Sequence, residues 1–309
     1  MHKKKLLITG GLGNLGSWIL EYASQNFEVT VLSRTDKKID VECSFELIIA
    51  DISDKQSLQN LLDGKEFNYV IHAASVNDGF VEGYSDIAYK INAFGTRNLI
   101  ESLDFSSIEH FIYLSTFQIY GTYSGLITEK TIPRPLNDYG LSHLTAEYFL
   151  YNIIKNNKFS IIRLTNSYGC PKDINSNKWY LVLNDLCKSA IKYQEIRVAG
   201  NGKSLRDFIW MGDVSKVLLK LVEFKPTNDI YNLSYGESLS IQDIANKVKY
   251  AYEKFYDKKI KVILNLDDKS NPNQSLIIDS NKIKNKLNIS YSEKFTDESI
   301  KIFKLLTKT

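Results

Sequence analysis

The chain has 309 residues, a hydrophobic fraction of 43%, a charged fraction of 24% and a formal net charge of +3. Such a chain can bury a full core, either as one large domain or as a domain with a smaller lobe. Its charge is spread without a basic stripe, which argues against a nucleic-acid partner. The apolar run at residues 6–8, behind the N-terminal lysines, is too short for a signal peptide or a membrane span. We therefore expect a cytoplasmic protein with no membrane contact.

The cysteines Cys43, Cys170 and Cys187 are odd in number and widely separated. A disulfide framework or a zinc site would need paired or clustered cysteines. The spacing therefore predicts free thiols in a reducing compartment, and we expect no bound metal.

The first half of the chain alternates short apolar runs with amphipathic stretches. The predicted strands are Lys5–Thr9, Glu28–Leu32, Glu46–Ala50, Asn68–His72, Glu109–Ser115 and Phe159–Thr165. The predicted helices are Asn14–Gln25, Ser85–Ser102 and Tyr139–Asn156. This alternation predicts an α/β fold in which helices cover both faces of a doubly wound parallel sheet. Ligands of such sheets bind at the carboxyl ends of the strands.

The second half is more broken, because turn-rich pieces at residues 169–177, 199–204 and 271–275 separate short helices and strands. We predict that residues 1–165 form the sheet domain and that segments around 205–235 return to it. Residues 166–309 are predicted to form mainly a smaller, interleaved C-terminal α/β lobe. The tail from Tyr250 keeps an apolar periodicity as far as Leu306, so we expect it to be folded.

A glycine-rich loop follows the first predicted strand and opens the first predicted helix. Gly10, Gly13 and Gly16 have the spacing that lets backbone N–H groups approach a pyrophosphate at a helix N-terminus. Asn14 and Leu15 stand between the last two glycines. The alternative is a purely structural turn, because glycines are common between a strand and a helix.

The end of the second predicted strand bears on the choice of dinucleotide. NAD-selective sites usually place an acidic residue there, but this chain has Ser33 followed by Arg34. A guanidinium suits a 2′-phosphate, so we predict NADP ahead of NAD. The alternative is a solvated Arg34 and an NAD-dependent protein. Asp51, past the third strand, either contacts adenine or caps a helix together with Ser53.

Motifs in a fixed order give the chain a specific resemblance. They lie at residues 9–16, 72–75, 92–96, 115–121, 163–169, 200–209 and 231–238. In this order they resemble the extended short-chain dehydrogenase/reductase family, in the branch that acts on nucleotide-diphosphate (NDP) sugars. The resemblance covers nearly the whole chain and implies a Rossmann-type fold and an NAD(P)-dependent oxidoreductase.

The resemblance also implies the roles of individual residues. Tyr139 would be the acid/base, Thr116 would hold the substrate oxygen, and His143 stands where the family usually has a lysine. The implied cofactor-binding residues are Gly10, Gly13, Asn14, Leu15, Gly16, Ser33, Arg34, Asp51, Ile52, Ala73, Ala74, Ser75, Asn92, Tyr139, His143 and Leu164. The implied substrate-binding residues are Thr116, Asn166, Val198 and Arg206.

His143 leaves three alternatives open. It could take the place of the lysine, contact a ribose hydroxyl and relay a proton. It could merely pack while cofactor and water activate Tyr139, or the protein could bind a cofactor without turnover, as a sensor. We favour the first alternative because Thr116, Tyr139, Asn166 and Arg206 are all present. It implies a rate that depends on pH near the titration range of histidine.

The residues around Thr116 bear on the type of reaction. The family's dehydratases carry an acidic pair after the catalytic hydroxyl, whereas Phe117 and Gln118 follow here, so dehydration is not expected. No cysteine stands beside Thr116, and Cys170 lies in a predicted turn, which argues against a 3,5-epimerase. Redox chemistry at one sugar carbon, C4 above all, is the prediction, with 4-epimerisation as the alternative.

The resemblance further implies a homodimer or a tetramer, because the helices at 85–102 and 139–156 usually pair with their copies. It also implies a role in making surface-polysaccharide precursors. Trp179, Tyr180 and Val198 fall where the nucleotide base would lie, but for each of them taken alone a place in the core of the lobe is favoured. Asp213 is predicted to cap a helix.

Overall fold

The computed structural model describes residues 3–77, 84–122, 124–265 and 275–307. The strands are β1 (Lys5–Thr9), β2 (Glu28–Ser33), β3 (Glu46–Ile49), β4 (Tyr69–His72), β5 (His110–Thr116), β6 (Gly125–Ile127), β7 (Phe159–Leu164), β8 (Asn166–Tyr168), β9 (Glu195–Arg197), β10 (Leu205–Trp210), β11 (Asp229–Leu233), β12 (Ser238–Ser240), β13 (Lys261–Ile263) and β14 (Leu276–Ile278). The α-helices are α1 (Asn14–Ala23), α2 (Lys55–Leu62), α3 (Tyr84–Ala88), α4 (Thr96–Ser102), α5 (Asp138–Ile153), α6 (Val182–Tyr193), α7 (Met211–Val222), α8 (Ile241–Tyr256), α9 (Asn281–Leu287) and α10 (Phe295–Thr307).

The main sheet has seven strands in the order β11-β7-β5-β4-β1-β2-β3. Every neighbouring pair in it is parallel. The chain winds from β1 towards β3 and then restarts at β4 on the other side of β1. The structure therefore has the doubly wound α/β fold that the sequence predicts, and the direction of winding reverses between β1 and β4.

Both faces of this sheet are buried, which explains why its strands are continuous apolar runs. Leu6, Leu7 and Ile8 are all fully buried, although successive side chains of a strand point to opposite faces. Leu6 and Ile8 pack in one core cluster with residues of α1 and α7. Leu7 packs in another with residues of α2, α4 and α5.

A separate apolar cluster lies mostly in the C-terminal half of the chain, in the part predicted as the second lobe, and includes Trp18 of α1. It joins α6, α8 and α10 to Phe208 and Trp210 of β10. Strand β10 pairs with β8 and β12 in a small sheet, and β11 then returns the chain to the main sheet. The predicted turn at residues 271–275 lies mostly outside the described residues. The predicted folded tail is confirmed by α8, β13, β14, α9 and α10 within the described residues.

The predicted helix at residues 85–102 is not a continuous α-helix. A π-helical segment, Tyr89–Gly95, lies between α3 and α4. Its Asn92 amide donates to the Val76 carbonyl oxygen (3.1 Å) and to Ser142 Oγ (3.1 Å), and its Oδ1 accepts from the Val76 N–H (2.8 Å). The wider turn thus places one side chain between the loop after β4 and helix α5, as π-bulges at functional sites often do.

Two further findings complete the fold. Helix α2 was not predicted; it begins after Asp54, whose side chain accepts from the Ser57 N–H. Within the described residues, none of the helices is long and apolar enough to cross a bilayer.

Candidate active site

A cavity of about 570 Å³ opens at the carboxyl ends of the sheet strands. It extends from the glycine loop and the end of β2, past the ends of β4 and β5, to the start of the second lobe. Sixteen of the predicted site residues line it: Gly10, Gly13, Asn14, Leu15, Gly16, Ser33, Arg34, Asp51, Ile52, Ala73, Ala74, Ser75, Thr116, Tyr139, Leu164 and Asn166. Asn92, His143, Val198 and Arg206 are not among the lining residues.

The glycine loop forms a tight turn at the start of α1, with the close backbone contacts that its spacing allows. Gly10 has φ +69°, and its N–H donates to the Leu32 carbonyl oxygen at 2.8 Å. A Cβ at Gly16 would lie 2.0 Å from the Gly10 carbonyl oxygen, so only glycine fits there. Gly13 provides no side-chain cap for α1. The first N–H groups of this helix lack intrahelical acceptors and face the cavity, where a pyrophosphate fits them.

Asn14 supplies further evidence for a ligand at this end. Its Oδ1 is buried and has no hydrogen-bond partner among the described residues. Buried polar atoms are rarely left unsatisfied in folded proteins. The donor-lined turn and this open acceptor together fit the phosphates and sugar hydroxyls of a dinucleotide.

The end of β2 forms the far wall of the cavity. The Ser33 hydroxyl donates to the Thr35 carbonyl oxygen (3.0 Å), while Arg34 and Lys37 also line the wall. Lys37 is paired with Asp173 of the second lobe at 2.6 Å. Asp51 accepts from the Ser53 N–H (2.8 Å) and also lines the cavity, but the cap of α2 is Asp54 rather than Asp51.

A buried network holds the loop after β4. Thr9 Oγ1 lies 2.6 Å from His72 Nδ1 and accepts from the Ala74 N–H at 3.2 Å. His72 Nε2 lies 2.8 Å from Thr96 Oγ1. Burial lowers the pKa of His72 to about 3, so this ring is neutral at pH 7. The network fixes the backbone of the loop that forms one side of the cavity.

The predicted reacting groups meet in the middle of the cavity. Tyr139 lies in the first turn of α5, which is capped by Asn137 through the Gly140 N–H at 2.8 Å. Burial raises the pKa of Tyr139 to about 12, while hydrogen bonds from Thr116 and Ser75 oppose the rise. The phenol of Tyr139 is therefore held between two hydroxyls at the end of β5 and the loop after β4.

His143 lies behind Tyr139, outside the cavity wall. It is 2% exposed, and its ring packs edge-on against the Tyr139 ring with 4.6 Å between centroids. Its Nδ1 lies 2.7 Å from the Tyr113 hydroxyl, and its Nε2 is buried without a partner among the described residues. Burial lowers its pKa to about 3. A ring that stays neutral through the usual histidine range gives no support to the expected dependence of the rate on pH there.

The substrate side of the cavity begins at β8. Asn166 lines it, and its amide donates to the Asp207 carbonyl oxygen at 2.9 Å. Arg206 is an exposed residue of β10, directly before Asp207. Val198 is buried in the apolar cluster of the second lobe, which is the alternative that the sequence left open.

The cavity also has lining residues that were not predicted as site residues. Gln118, Asn175, Asn177 and Lys178 contribute polar groups, and Tyr180, predicted only near the nucleotide base, lines the wall near Tyr139. The turn-rich composition of residues 169–177 was the available signal. It indicated a loop but not the cavity that this loop faces.

Two other sequence predictions have a clear outcome. Trp179 packs against the second-lobe cluster rather than lining the cavity. Asp213 is not the cap of α7, because that position is Trp210. Asp213 lies in the first turn, where its Oδ2 accepts from the Ser292 N–H at 2.6 Å.

The fold and the cavity together define a Rossmann-type protein with a glycine-rich turn and a tyrosine–threonine pair in the wall of one cavity. Residues 6–234 match the pattern of the NAD-dependent epimerase/dehydratase family. The chain belongs to this family, which confirms the resemblance inferred from its motifs.

Two individual proteins show how similar this sequence is to its relatives. A Methanocaldococcus jannaschii protein that bears the provisional name UDP-glucose 4-epimerase is 30% identical over 82% of this chain and 85% of its own length. A dTDP-D-glucose 4,6-dehydratase of Dictyostelium discoideum is 27% identical over 79% of this chain and 61% of its own length. This chain thus spans less than two thirds of the dehydratase.

The crystal structure of UDP-glucose 4-epimerase from Bifidobacterium longum, a complex with NAD+ and UDP, superimposes with a TM-score of 0.80. The match covers 99% of this chain and 98% of the other at 21% identity, which shows a shared fold. Neither this structure nor the family's name supports the NADP preference predicted from Ser33 and Arg34.

Proposed function

We propose that the protein is an oxidoreductase that transfers a hydride at C4 of an NDP sugar. The contact of Tyr139 with Thr116 in the wall of a dinucleotide-sized cavity carries this proposal. Tyr139 exchanges a proton with the sugar oxygen, and the Thr116 hydroxyl donates a hydrogen bond that fixes the position of that oxygen. The bound nicotinamide supplies or accepts the hydride.

The remaining predicted roles follow the layout of the cavity. The glycine loop holds the pyrophosphate, and Ala73, Ala74, Ser75, Ile52 and Leu164 enclose the rest of the cofactor. Asn92 and His143 act from behind the wall, Asn92 through Val76 and His143 through the Tyr139 ring.

The substrate side is assigned on the same basis. Asn166 contacts the sugar nucleotide and the exposed Arg206 guanidinium binds its diphosphate. Val198 contributes only to the packing of the apolar cluster in the second lobe. We also propose the division into a sheet domain at 1–165, with segments around 205–235, and a substrate lobe at 166–309.

The residues after Thr116 favour simple redox chemistry. Phe117 and Gln118 bring no carboxylate to this part of the cavity, and Gln118 Oε1 accepts from the Asn137 amide at 3.0 Å. Eliminating water would need an acid and a base here. 4-Epimerisation, which the name of the M. jannaschii relative favours, uses the same groups and is the second candidate.

For the cofactor we propose NADP, because Arg34 lines the cavity wall where an acidic residue would select NAD. Replacing Arg34 with Asp should shift the NADP-to-NAD ratio of kcat/KM towards NAD by about 10- to 100-fold, the worth of one charged hydrogen bond. Arg197→Asp makes the same charge change on β9, away from the cavity lining, and should leave the ratio unchanged. A native protein that already prefers NAD would contradict the proposal.

The cellular setting is proposed from the family resemblance. We infer a cytoplasmic homodimer or tetramer that supplies polysaccharide precursors. Helix α5 presents exposed Tyr148 and Tyr151, and the neighbouring π-helix presents exposed Phe94, as a pairing face would require.

The function is tested by incubating the purified protein with NDP sugars and NDP-keto sugars and following the absorbance of the reduced cofactor. We expect turnover with at least one of them. Tight cofactor binding without turnover of any sugar nucleotide would instead favour a sensor.

A further inference from the structure

One segment between β8 and α6 runs along the cavity without forming a helix or a strand. We call this segment, residues 172–181, the strap. It is built from turns with their own hydrogen bonds, such as the one from the Ser176 N–H to the Asp173 carbonyl oxygen at 3.1 Å. A compact loop of this kind can open without unfolding the elements beside it. Half of the strap lines the cavity: Asn175, Asn177, Lys178, Tyr180 and Leu181.

The strap contacts the sheet side of the cavity at two separate places. At the β2 end, Asp173 Oδ2 lies 2.6 Å from Lys37 Nζ, on the loop after β2. At the other end, the Tyr180 hydroxyl donates to the Asn77 carbonyl oxygen at 2.9 Å, on the loop after β4. Residues between these two contacts line the cavity, so the strap crosses it from one edge to the other.

The ion pair at the β2 end depends on both of its partners. The Asp173 side chain is 9% exposed, and its Oδ1 accepts from the Asn175 N–H at 2.8 Å. Its Oδ2 is buried and, apart from the ion pair with Lys37, has no hydrogen-bond partner among the described residues. A buried carboxylate is costly without its cation, so the strap keeps this position only while Lys37 is in place. Beside the pair, the Asp40 N–H donates to the Lys172 carbonyl oxygen at 2.7 Å.

The position of Asp173 indicates what this ion pair controls. Asp173 does not line the cavity, so it acts on a ligand only through the strap. In a sheet of this kind, the adenosine half of a dinucleotide lies at the end of β2. Arg34 and Lys37 line the cavity there, on the loop to which Asp173 fastens the strap. We therefore expect the ion pair to separate whenever the adenosine passes this end.

We propose that Lys37 and Asp173 form a clasp that gates the passage of the dinucleotide into and out of the cavity. The inference rests on the proposed function only in requiring that the cavity bind a dinucleotide. Because the clasp joins one loop to another rather than to the ligand, it slows entry and exit alike and changes the equilibrium affinity little. Asp173 is thus a positioning residue, which holds the strap closed.

Stopped-flow fluorescence of the reduced nicotinamide measures both rate constants, with whichever of NADPH and NADH binds the more tightly. Asp173→Asn should raise the association and dissociation rate constants together, each by about 5- to 30-fold, the worth of a half-buried ion pair. The Kd should stay within about threefold of the wild type. The control is Glu195→Gln, which removes the same charge from a surface pair with Arg197 on β9 and should change neither rate constant.

The sign of the effect separates a clasp from simple electrostatics. The cofactor is an anion, so removing a nearby carboxylate from an ungated cavity would speed association, slow dissociation and tighten binding. That result in Asp173→Asn, or unchanged rate constants, would overturn the inference and leave the proposed function standing.

Lys37→Met is the second variant, because it breaks the same pair from the loop after β2. It should also raise both rate constants, and the double variant with Asp173→Asn should be no faster than the faster single variant. Slower association in Lys37→Met would mean that Lys37 attracts the cofactor directly, which overturns the clasp. A protein with the expected rate pattern that turns over no NDP sugar would contradict the proposed function alone. A protein that binds neither dinucleotide would contradict both.

Discussion

Replacing Tyr139 with Phe should lower kcat by about 10²- to 10⁴-fold, the usual worth of a positioned proton donor or acceptor. The change removes only the hydroxyl that contacts Thr116 and Ser75. The ring would remain packed against His143 and in the cavity wall, so cofactor affinity should change little. Steady-state kinetics and cofactor fluorescence titration measure the two effects separately.

The matched control is Tyr250→Phe, on α8 and outside the proposed pairing face. Its side chain is 60% exposed and does not line the cavity. It should keep the wild-type rate and melting temperature. A Tyr139→Phe protein that turns over within about threefold of the wild type, far short of the loss expected for a lost proton donor, would remove Tyr139 from the mechanism.

Acid should destabilise the fold strongly between pH 7 and pH 5. His72, His110 and His143 are all buried, and burial lowers their pKa values to about 3, about 4 and about 3. In the unfolded chain each titrates near pH 6.5, so below that pH the unfolded state binds more protons. The stabilisation is complete above pH 6.5 and is lost as the pH falls. Each histidine should cost about 2 kcal/mol by pH 5, about 6 kcal/mol together. Burial raises the pKa of Asp207 to about 6, so this carboxyl opposes the loss by about 1 kcal/mol over the same range.

Such a loss approaches the whole stability of an ordinary domain. Urea unfolding followed from pH 7 to pH 5 measures it, and the proton uptake on unfolding gives the number of these histidines less the proton that Asp207 releases. His110 is the best site for a control variant, because it bonds the Val222 carbonyl oxygen and Ser160 rather than the cavity wall. His110→Gln should reduce the uptake by about one proton. A free energy of unfolding that is flat over this range would contradict the burial argument.

The parts of the fold that were predictable are those that local sequence determines. Strand β1 and the loop after it follow from an apolar run and three spaced glycines, all within residues 5–16. The glycine turn was predictable because its tightest contact, between Gly16 and the Gly10 carbonyl oxygen, joins residues only six positions apart in the sequence. The tyrosine–threonine pair was predictable from the family resemblance, which fixes residues far apart in sequence.

The remainder depends on partners distant in sequence. Nothing near Asn92 signals a π-helical turn, because its hydrogen-bond partners are Val76 and Ser142. The environment of His143 is fixed by Tyr113, thirty residues earlier, on a strand whose pattern shows only that it is buried. The family position of His143 suggested a working imidazole in the cavity, whereas packing turned the ring towards the sheet. Local patterns report burial, but they do not report which buried groups meet.

The central claim, hydride transfer at C4 of an NDP sugar, is tested most directly with cofactor deuterated at the transferring position. The protein is incubated with an NDP-4-keto sugar and deuterated NADPH or NADH, and the product is examined by NMR. We expect one deuterium on C4 of the product alcohol, and none with Tyr139→Phe over the same time. A product carrying deuterium at another carbon, or consumption of the cofactor without deuterium in the sugar, would contradict the account.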